Sequence, residues 1–91
     1  MQANKPENVF CRVCGIESEI NNPPWYDEET PSHEICPCCG VQFGYEDDGY
    51  HSVTGYRNQW LKAGAKWFSV GQRPKDWNLE VQLQNIPDRW K

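Results

Sequence analysis

Two short stretches of the chain share one pattern, in which apolar residues flank a pair of cysteines followed by a glycine. They read VFCRVCG, beginning at Val9, and EICPCCGVQF, beginning at Glu34. Short apolar runs that are bounded by turn residues are typical of β-strands. The pattern therefore predicts two β-hairpin turns, each with a short strand entering it and a short strand leaving it.

A helical pattern follows in the stretch SVTGYRNQWLKAGAKWF, which spans residues 52–68. Its bulky residues recur with the three- and four-residue spacing of one helix face. The stripe consists of Val53, Tyr56, Trp60, Leu61, Gly64, Trp67 and Phe68. We expect the helix to begin at Ser52 or Thr54 and to cover the cysteine-rich part. Because glycine costs helix stability, we expect close packing of the backbone at Gly64.

A second, shorter helix is predicted near the end of the chain by the stretch LEVQLQNI. Asn78 precedes this stretch as a candidate N-cap, and Pro87 follows it as a stop signal. Leu79, Leu83 and Ile86 fall on one face. This face is expected to pack against the rest of the domain.

The cysteines have the spacing of a metal site. Cys11, Cys14, Cys36 and Cys39 form the pattern C-x2-C-x21-C-x2-C, which is typical of zinc sites. Tetrahedral coordination by thiolates at about 2.3 Å requires sulfur atoms about 3.7 Å apart, and a tight turn supplies that separation. A glycine after each second cysteine can adopt a positive φ without steric cost. We therefore predict these four cysteines as the ligands of one metal ion.

Several residues beside the predicted site leave alternatives open. Cys38 lies inside the second turn. It is interpreted either as a packed or partly exposed thiol with no function or as a ligand that exchanges with Cys39. His33 and His51 are isolated, so we interpret them as exposed residues or as neighbours of the ligands. The acidic run from Glu46 to Asp48 is interpreted as a solvated loop that recognises basic groups on a partner rather than as a catalytic pair.

Four thiolates suit zinc or a rubredoxin-type iron centre. Aromatic residues such as Phe10, Trp25 and Phe43 would shield an iron centre, but they would serve any small core equally well. Zinc is favoured, because the four-thiolate site is closed and no partner motif lies beside it. A site filled by four protein ligands leaves no position for water. We therefore expect a structural metal site and no enzymatic activity.

The size of the chain fits this reading, because a domain of 91 residues has a marginal core and often needs a metal. We predict a single domain with a loose N-terminus at 1–8, a four-cysteine part at 9–51 and a Trp-rich helical extension at 52–91. The predicted fold is small α+β, with a zinc-ribbon or rubredoxin-like pair of metal-binding β-hairpin turns packed against a C-terminal helical segment.

The net charge and the N-terminal residues indicate which partners and which location to expect. Nine basic and thirteen acidic residues give a formal net charge of −4, which repels a phosphate backbone, so no nucleic acid is expected as a partner. The stretch MQANKPENVF contains no apolar segment typical of a signal peptide or a membrane span. We therefore expect a cytoplasmic protein, where paired C-x2-C motifs are more often metal ligands than disulfides.

The order of these motifs resembles the cysteine-rich CPCC family of small, mostly bacterial proteins. The resemblance is carried by C-x2-C-G, EICPCC, YEDDG and a following helical arginine, over about residues 9–60. It implies that the same four cysteines are metal ligands and that Glu46–Asp48 is the acidic signature of the family. The turns CRVCG and CPCCGVQF are also similar to those of rubredoxin. The CPCC family has no established biochemical activity, so the resemblance implies zinc binding without a function.

Three functions stay open on these grounds. The leading expectation is a non-enzymatic zinc-binding module that binds a protein partner, as an adaptor or as an inhibitor of a basic toxin. Acidic surface and surplus tryptophan at Trp25, Trp77 and Trp90 motivate it. The alternative is a rubredoxin-like iron electron carrier. A third possibility is a zinc protein that releases its metal when the thiolates are oxidised.

Overall fold

The computed structural model describes residues 6–91 and shows a small α+β fold. Strands β1 (Trp25–Asp27) and β2 (Thr30–Pro31) form a two-stranded antiparallel sheet between the two cysteine motifs. The helices are α1 (Tyr50–Lys62), α2 (Leu79–Leu83) and the 3-10 helices Glu7–Val9, Val70–Gln72 and Asp88–Trp90. The α+β class is confirmed. Of the N-terminus predicted to be loose, residues 1–5 lie outside the described residues.

The sheet is short for identifiable reasons. Trp25 lies opposite Pro31 and Asp27 lies opposite Thr30, with an irregularity between the two pairs. Proline has no N–H to donate, so Pro31 limits the ladder. The connecting turn is closed by the carboxylate of Asp27, which accepts the backbone N–H of Glu29 at 2.8 Å. The result is a short β-hairpin that is too small to form the hydrophobic core.

The hairpins predicted around the cysteines are shorter than expected. Each cysteine turn is closed by one isolated antiparallel bridge, from Phe10 to Glu17 in the first and from Ile35 to Gln42 in the second. The strands expected on either side therefore shrink to single paired positions. The apolar pattern nevertheless predicts correctly that the residue entering each turn pairs with a residue leaving it.

Helix α1 begins earlier and ends earlier than the pattern predicts. It begins at Tyr50, after Gly49 in extended conformation, and ends at Lys62. Val53 and Trp60 form its buried face, as expected. Phe68 was predicted on the same stripe, but it lies beyond the helix and is 62% exposed.

The early end of α1 has a clear cause at Gly64. Its φ is +105°, and the N–H groups of Gly64 and Ala65 donate to the carbonyls of Leu61 and Trp60 at 3.0 and 2.8 Å. This is the Schellman arrangement, in which glycine takes the left-handed position after the last helical turn. The prediction of a close-packed glycine inside the helix is wrong, since the nearest neighbour of an added Cβ would be the side chain of Lys66 at 3.8 Å.

The second helix begins where it is predicted to begin, after Asn78, but it ends at Leu83 rather than at Ile86. The side chain of Asn78 accepts the backbone N–H of Val81 at 3.1 Å, as an N-cap does. Ile86 is buried, while Leu79 and Leu83 pack as half-buried residues against the core. The apolar residues of α2, and Ile86 just beyond its end, thus face the interior as predicted.

The core is built around the cysteines, and it absorbs most of the tryptophan. Trp25, Trp60 and Trp67 are buried, and Trp77 and Trp90 are half-buried and pack against the same cluster. The prediction of surplus tryptophan at the surface is therefore wrong for Trp25, whereas Trp77 and Trp90 keep part of their side chains accessible. Among the described residues, no helix combines the length and the apolar character needed to cross a membrane.

Candidate metal centre

The first turn, residues 11–15, folds back on itself through two backbone hydrogen bonds. The N–H of Cys11 donates to the carbonyl of Ile16 at 3.0 Å, and the N–H of Gly15 donates to the carbonyl of Cys11 at 2.9 Å. Gly15 has a φ of +82°, in the region that glycine adopts without steric cost. The turn presents Cys11 and Cys14 to the centre of the domain, where both are fully buried.

The second turn, residues 36–40, repeats the first. The N–H of Cys36 donates to the carbonyl of Val41 at 2.8 Å, and the N–H of Gly40 donates to the carbonyl of Cys36 at 2.9 Å. Gly40 has a φ of +81°. The role that the sequence predicts for the two glycines is therefore confirmed, and the two C-x2-C-G motifs form equivalent loops.

The two turns bring four sulfur atoms together. The sulfur of Cys11 lies 3.8 Å from that of Cys39, and the sulfur of Cys14 lies 3.7 Å from that of Cys36. All four ligand atoms lie within 4.8 Å of one another, and all four residues are buried. Tetrahedral thiolate coordination with metal–sulfur bonds of about 2.3 Å needs sulfur separations of about 3.7 Å. The group can therefore hold a metal ion.

The electrostatics of the four thiols favour a bound cation. Burial raises the pKa of Cys11 and Cys14 well above the ordinary value and also raises the pKa of Cys39. Hydrogen bonds from these neighbours, Cys11 foremost, lower the pKa of Cys36. Several buried thiolates side by side are costly without a compensating cation, because burial and mutual repulsion both disfavour the charged form. A divalent cation removes that cost.

Cys38 is packed rather than partly exposed. It is fully buried, and its sulfur does not belong to the group of four that can hold a metal. The Nε2 of Gln82 donates to this sulfur at 3.3 Å. Hydrogen bonding by Cys14, followed by that of Gln82, lowers the pKa of the Cys38 thiol. A metal-bound thiolate at Cys14 would withdraw the first of these contributions, since a thiolate has no proton to donate.

The carbonyl groups of the first turn point outward and accept side-chain donors. Arg57 donates through Nε to the carbonyl of Val13 and through Nη2 to the carbonyl of Arg12, both at 2.7 Å. Gln82 donates through Nε2 to the carbonyl of Cys14 at 3.1 Å. Its own Oε1 accepts the indole N–H of Trp77 at 2.6 Å. Helices α1 and α2 thus each hold the first turn through one polar side chain.

The carbonyl groups of the second turn accept mostly backbone donors. The N–H groups of Phe68 and Ser69 donate to the carbonyls of Cys38 and Pro37 at 2.9 and 2.8 Å. The hydroxyl of Tyr56 donates to the carbonyl of Cys39 at 3.1 Å, and burial raises the pKa of this hydroxyl to about 12. The segment after α1 therefore holds the second turn through two backbone donors, and α1 itself adds one hydroxyl.

The prediction of a solvated acidic loop is wrong at Asp47. Its side chain is fully buried. Its Oδ2 accepts the indole N–H of Trp25 at 3.0 Å, and its Oδ1 accepts the backbone N–H of Gly44 at 2.7 Å. Burial raises the pKa of this carboxyl, and the backbone carbonyl of Asp47 accepts Nη1 of Arg12 at 3.1 Å. Asp47 therefore ties the loop after the second turn to the first turn.

The other two acids of the run have different positions. Glu46 is half-buried, and its carboxylate accepts the backbone N–H of Gln42 at 3.2 Å. Asp48 is exposed, so the solvated reading holds for this residue alone. His33 and His51 are both exposed, and neither belongs to the group that can hold a metal.

Arg12 is a residue of the site that the sequence reasoning missed. Its guanidinium lies between two tryptophan rings, 3.7 Å from the centroid of Trp25 and 4.2 Å from that of Trp90. Burial lowers the pKa of Arg12. The stacking explains how the C-terminal tail packs back on the first turn. A lone arginine between two cysteines carries no pattern that predicts this contact. The contacts of Arg57 with the first turn were likewise not predicted, although a helical arginine belongs to the motif order of the resemblance.

Fold and site together define a small cysteine-rich α+β protein whose four-cysteine centre is compatible with a metal ion. The chain belongs to the family of the uncharacterised protein YozI of Bacillus subtilis (strain 168), with which it is 32% identical over 86 residues, covering 78% of this chain and 71% of YozI.

The uncharacterised protein YoaQ of the same organism is 37% identical over 68 residues, covering 59% of this chain. The chain spans about 58% of the length of YoaQ. No family model matches the chain, and no solved structure matches it significantly.

Proposed function

We propose that Cys11, Cys14, Cys36 and Cys39 bind one zinc ion as thiolates, and that the domain built on this site is a non-catalytic module that binds another protein. The convergence of four buried sulfur atoms within 4.8 Å carries the proposal. The pairs at 3.7 and 3.8 Å already have the separation that tetrahedral thiolate coordination requires. We also propose that the protein belongs with the CPCC proteins and works in the cytoplasm, where thiols stay reduced.

A structural role follows from the number of ligands. Four protein thiolates fill a tetrahedral zinc site, and a catalytic zinc needs an open position for water or substrate. The bound ion would join the two turns, and in a domain of this size metal binding would supply much of the folding free energy. We therefore propose that the protein is not an enzyme acting through this metal.

A rubredoxin-like iron electron carrier is the second candidate, and one observation favours it. Cys39 is the only one of the four cysteines that is not fully buried, at 6% exposure. It lies in a shallow pocket together with Tyr56, Gln59 and Trp60. Such a position would give electrons a short route between the surface and a metal held by the four thiolates.

The interaction role rests on surface character. The net charge of −4 gives the protein a negative field, and such fields steer association with basic partners. Three tryptophans are buried and two are half-buried, so the large exposed aromatic side chains among the described residues are Tyr26, Tyr45, Tyr50 and Phe68. Tyrosine is enriched at protein interfaces because it combines an apolar ring with a polar group. These residues, rather than tryptophan, support a protein-binding surface.

Elemental analysis of protein purified without added metal, with an absorbance spectrum of the same sample, tests the metal assignment. We expect one zinc ion per chain and no colour. One iron ion per chain with thiolate-to-iron charge-transfer bands would replace the leading proposal with the electron carrier. A folded protein that contains neither metal would contradict both.

A further inference from the structure

A groove of about 330 Å³ lies on the surface beside the second turn. Its walls come from residues 18–26 and from the chain on both sides of that turn. Tyr26, Ile35 and Phe43 provide its apolar lining, and Glu34 provides a carboxylate. The volume is at the small end of the range typical of ligand sites, which suits one or two side chains better than a large molecule.

Two of the three apolar side chains in the lining are accessible to solvent. Tyr26 is 53% exposed and Ile35 is 48% exposed, while Phe43 forms a buried floor. Large apolar side chains that remain accessible around a concave surface mark interaction sites in soluble proteins. The bridge between Ile35 and Gln42 fixes the wall that carries Ile35. The groove therefore offers a preformed position for an apolar side chain.

The chain segment that lines the groove carries charged side chains of one sign. Residues 13–56 contain no lysine and no arginine, and they contain nine of the thirteen acidic residues. These acids are Glu17, Glu19, Asp27, Glu28, Glu29, Glu34, Glu46, Asp47 and Asp48. Asp47 is buried and Glu28 pairs with Arg89, but Glu34 is exposed in the groove itself. Glu19 is the chain neighbour of the lining residue Ser18.

Two kinds of ligand are disfavoured by this chemistry. Nucleic acids and other polyanions would meet an acidic surface without a basic residue in its lining. A metal ion would find a single carboxylate there, and among the described residues the four cysteines are the only group that can hold one. A cationic group beside an apolar one fits both the charge and the lining.

We propose that this groove binds a basic segment of a partner protein, with an apolar side chain against Tyr26, Ile35 and Phe43 and a lysine or arginine at Glu34. This inference rests on the proposed function as an interaction module and names the chemistry of its partner. The groove supplies the apolar anchor site, and Glu34 together with the net negative charge of the protein supplies attraction and orientation.

Selection from a phage-displayed library of random nonapeptides on the zinc-loaded full-length protein tests the proposal. We expect the enriched peptides to contain lysine or arginine flanking an apolar residue. The most enriched peptide, labelled with fluorescein, is then titrated with the protein by fluorescence anisotropy at low and high salt. We expect its affinity to fall as salt rises, because exposed charge pairs are screened.

Two variants of the groove locate the binding site. Ile35→Ser should weaken the peptide about tenfold, as expected for loss of an apolar anchor. Glu34→Gln should weaken it about threefold and reduce the salt dependence. Val81→Ser and Glu80→Gln make the same chemical changes at exposed positions of α2 outside the groove, and both should leave the affinity unchanged.

Three results would overturn the inference. The first is enrichment of acidic peptides, or no enrichment at all. The second is a selected peptide whose affinity is the same for the groove variants and the α2 variants, which would place the binding surface elsewhere while keeping the interaction role. The third is self-association that Ile35→Ser abolishes, since a second copy of the chain would then occupy the groove. Zinc content measured on the same samples separates these results from failure of the metal assignment.

Discussion

The first and second turns have the same backbone, but the rest of the chain holds them by different means. Each backbone hydrogen bond that closes the first turn has a counterpart 25 residues later in the second. The glycines that end the turns have nearly the same φ, +82° and +81°. What differs is the source of the donors that satisfy the outward-facing carbonyls.

Side chains hold the first turn, and mainly backbone groups hold the second. Arg57 and Gln82 donate to three carbonyls of the first turn. Backbone N–H groups of residues 68 and 69 donate to two carbonyls of the second, and a hydroxyl donates to a third. Because a backbone donor survives most substitutions and a side-chain donor does not, the first turn should be the more sensitive to mutation away from the cysteines.

The largest loss of stability is expected on mutation of the cysteine ligands, which both turns contain. Cys11→Ser and Cys36→Ser should each remove the metal and unfold the domain, at a cost of more than about 5 kcal/mol, because binding free energy is folding free energy in small metal domains. Metal content and circular dichroism are the measurements. Cys38→Ser is the matched control and should keep its metal. If either ligand variant stayed folded with metal bound, the symmetric role of the turns would be disproved.

The next effect separates the two turns. Arg57→Ala leaves two carbonyls of the first turn and that of Trp90 without their donor, which should cost about 3–4 kcal/mol. Tyr56→Phe removes one hydrogen bond to the second turn and should cost about 1 kcal/mol. Urea unfolding of the zinc-loaded proteins measures both. Arg57→Lys should lie between them, because an ammonium cannot reproduce the fork of the guanidinium.

The two glycines offer a closer test at matched backbone conformation. Both Gly15→Ala and Gly40→Ala force a left-handed φ on alanine, a cost of about 1–2 kcal/mol. An added Cβ at Gly15 would lie 2.3 Å from the backbone carbonyl oxygen of Gln82, whereas at Gly40 it would lie 3.0 Å from the exposed ring of Phe68. Gly15→Ala should therefore cost about 3 kcal/mol in all, since overpacking adds to the backbone strain. Equal losses in urea unfolding would contradict the difference in surroundings.

The smallest effect concerns the residue that ties the turns together. Burial raises the pKa of Asp47 above its ordinary value of 3.8, so the native state binds more protons than the unfolded state between that value and the raised one. This contribution to the free energy of unfolding therefore falls as pH rises through the window. Asp47→Asn abolishes this titration. It also replaces one of the two carboxylate oxygens that accept hydrogen bonds with an NH2 group, at a cost of about 1–2 kcal/mol.

The sign of the pH dependence is what this variant tests. The loss of stability caused by Asp47→Asn should be larger at pH 4.5 than at pH 7. Chemical unfolding of the wild-type protein and the variant at both pH values measures the difference. Release of the metal by acid affects both proteins and therefore largely cancels. A loss that grows with pH would show that the ionised carboxylate is the stabilised form, through its attraction to Arg12.

The motifs were readable from sequence because their physics is local. A C-x2-C-G stretch predicts a tight turn with a left-handed glycine, and both turns have it. Asn78 before an apolar run predicts an N-cap, and it is one. The apolar spacing of α1 predicts its buried face at Val53 and Trp60. None of these features needs information from distant parts of the chain.

The remaining features depend on tertiary contacts that no local pattern encodes. Asp47 looks like part of a solvated acidic run, and only its pairing with Trp25, 22 residues away, buries it. Gln82 looks like a surface residue of a short helix, yet it bonds to Cys14 and Cys38. Gly64 is different, because its position after Lys62 could have been read as a helix end rather than as a helical glycine.

The central claim is that four thiolates from two equivalent turns surround one metal ion. X-ray absorption spectroscopy of the purified protein tests it most directly, because the edge identifies the element and the fine structure counts the ligands. We predict a zinc edge and four sulfur neighbours at about 2.3 Å. A shell of three or fewer sulfur atoms completed by nitrogen or oxygen would contradict the claim, since at least one cysteine would then lie outside the site.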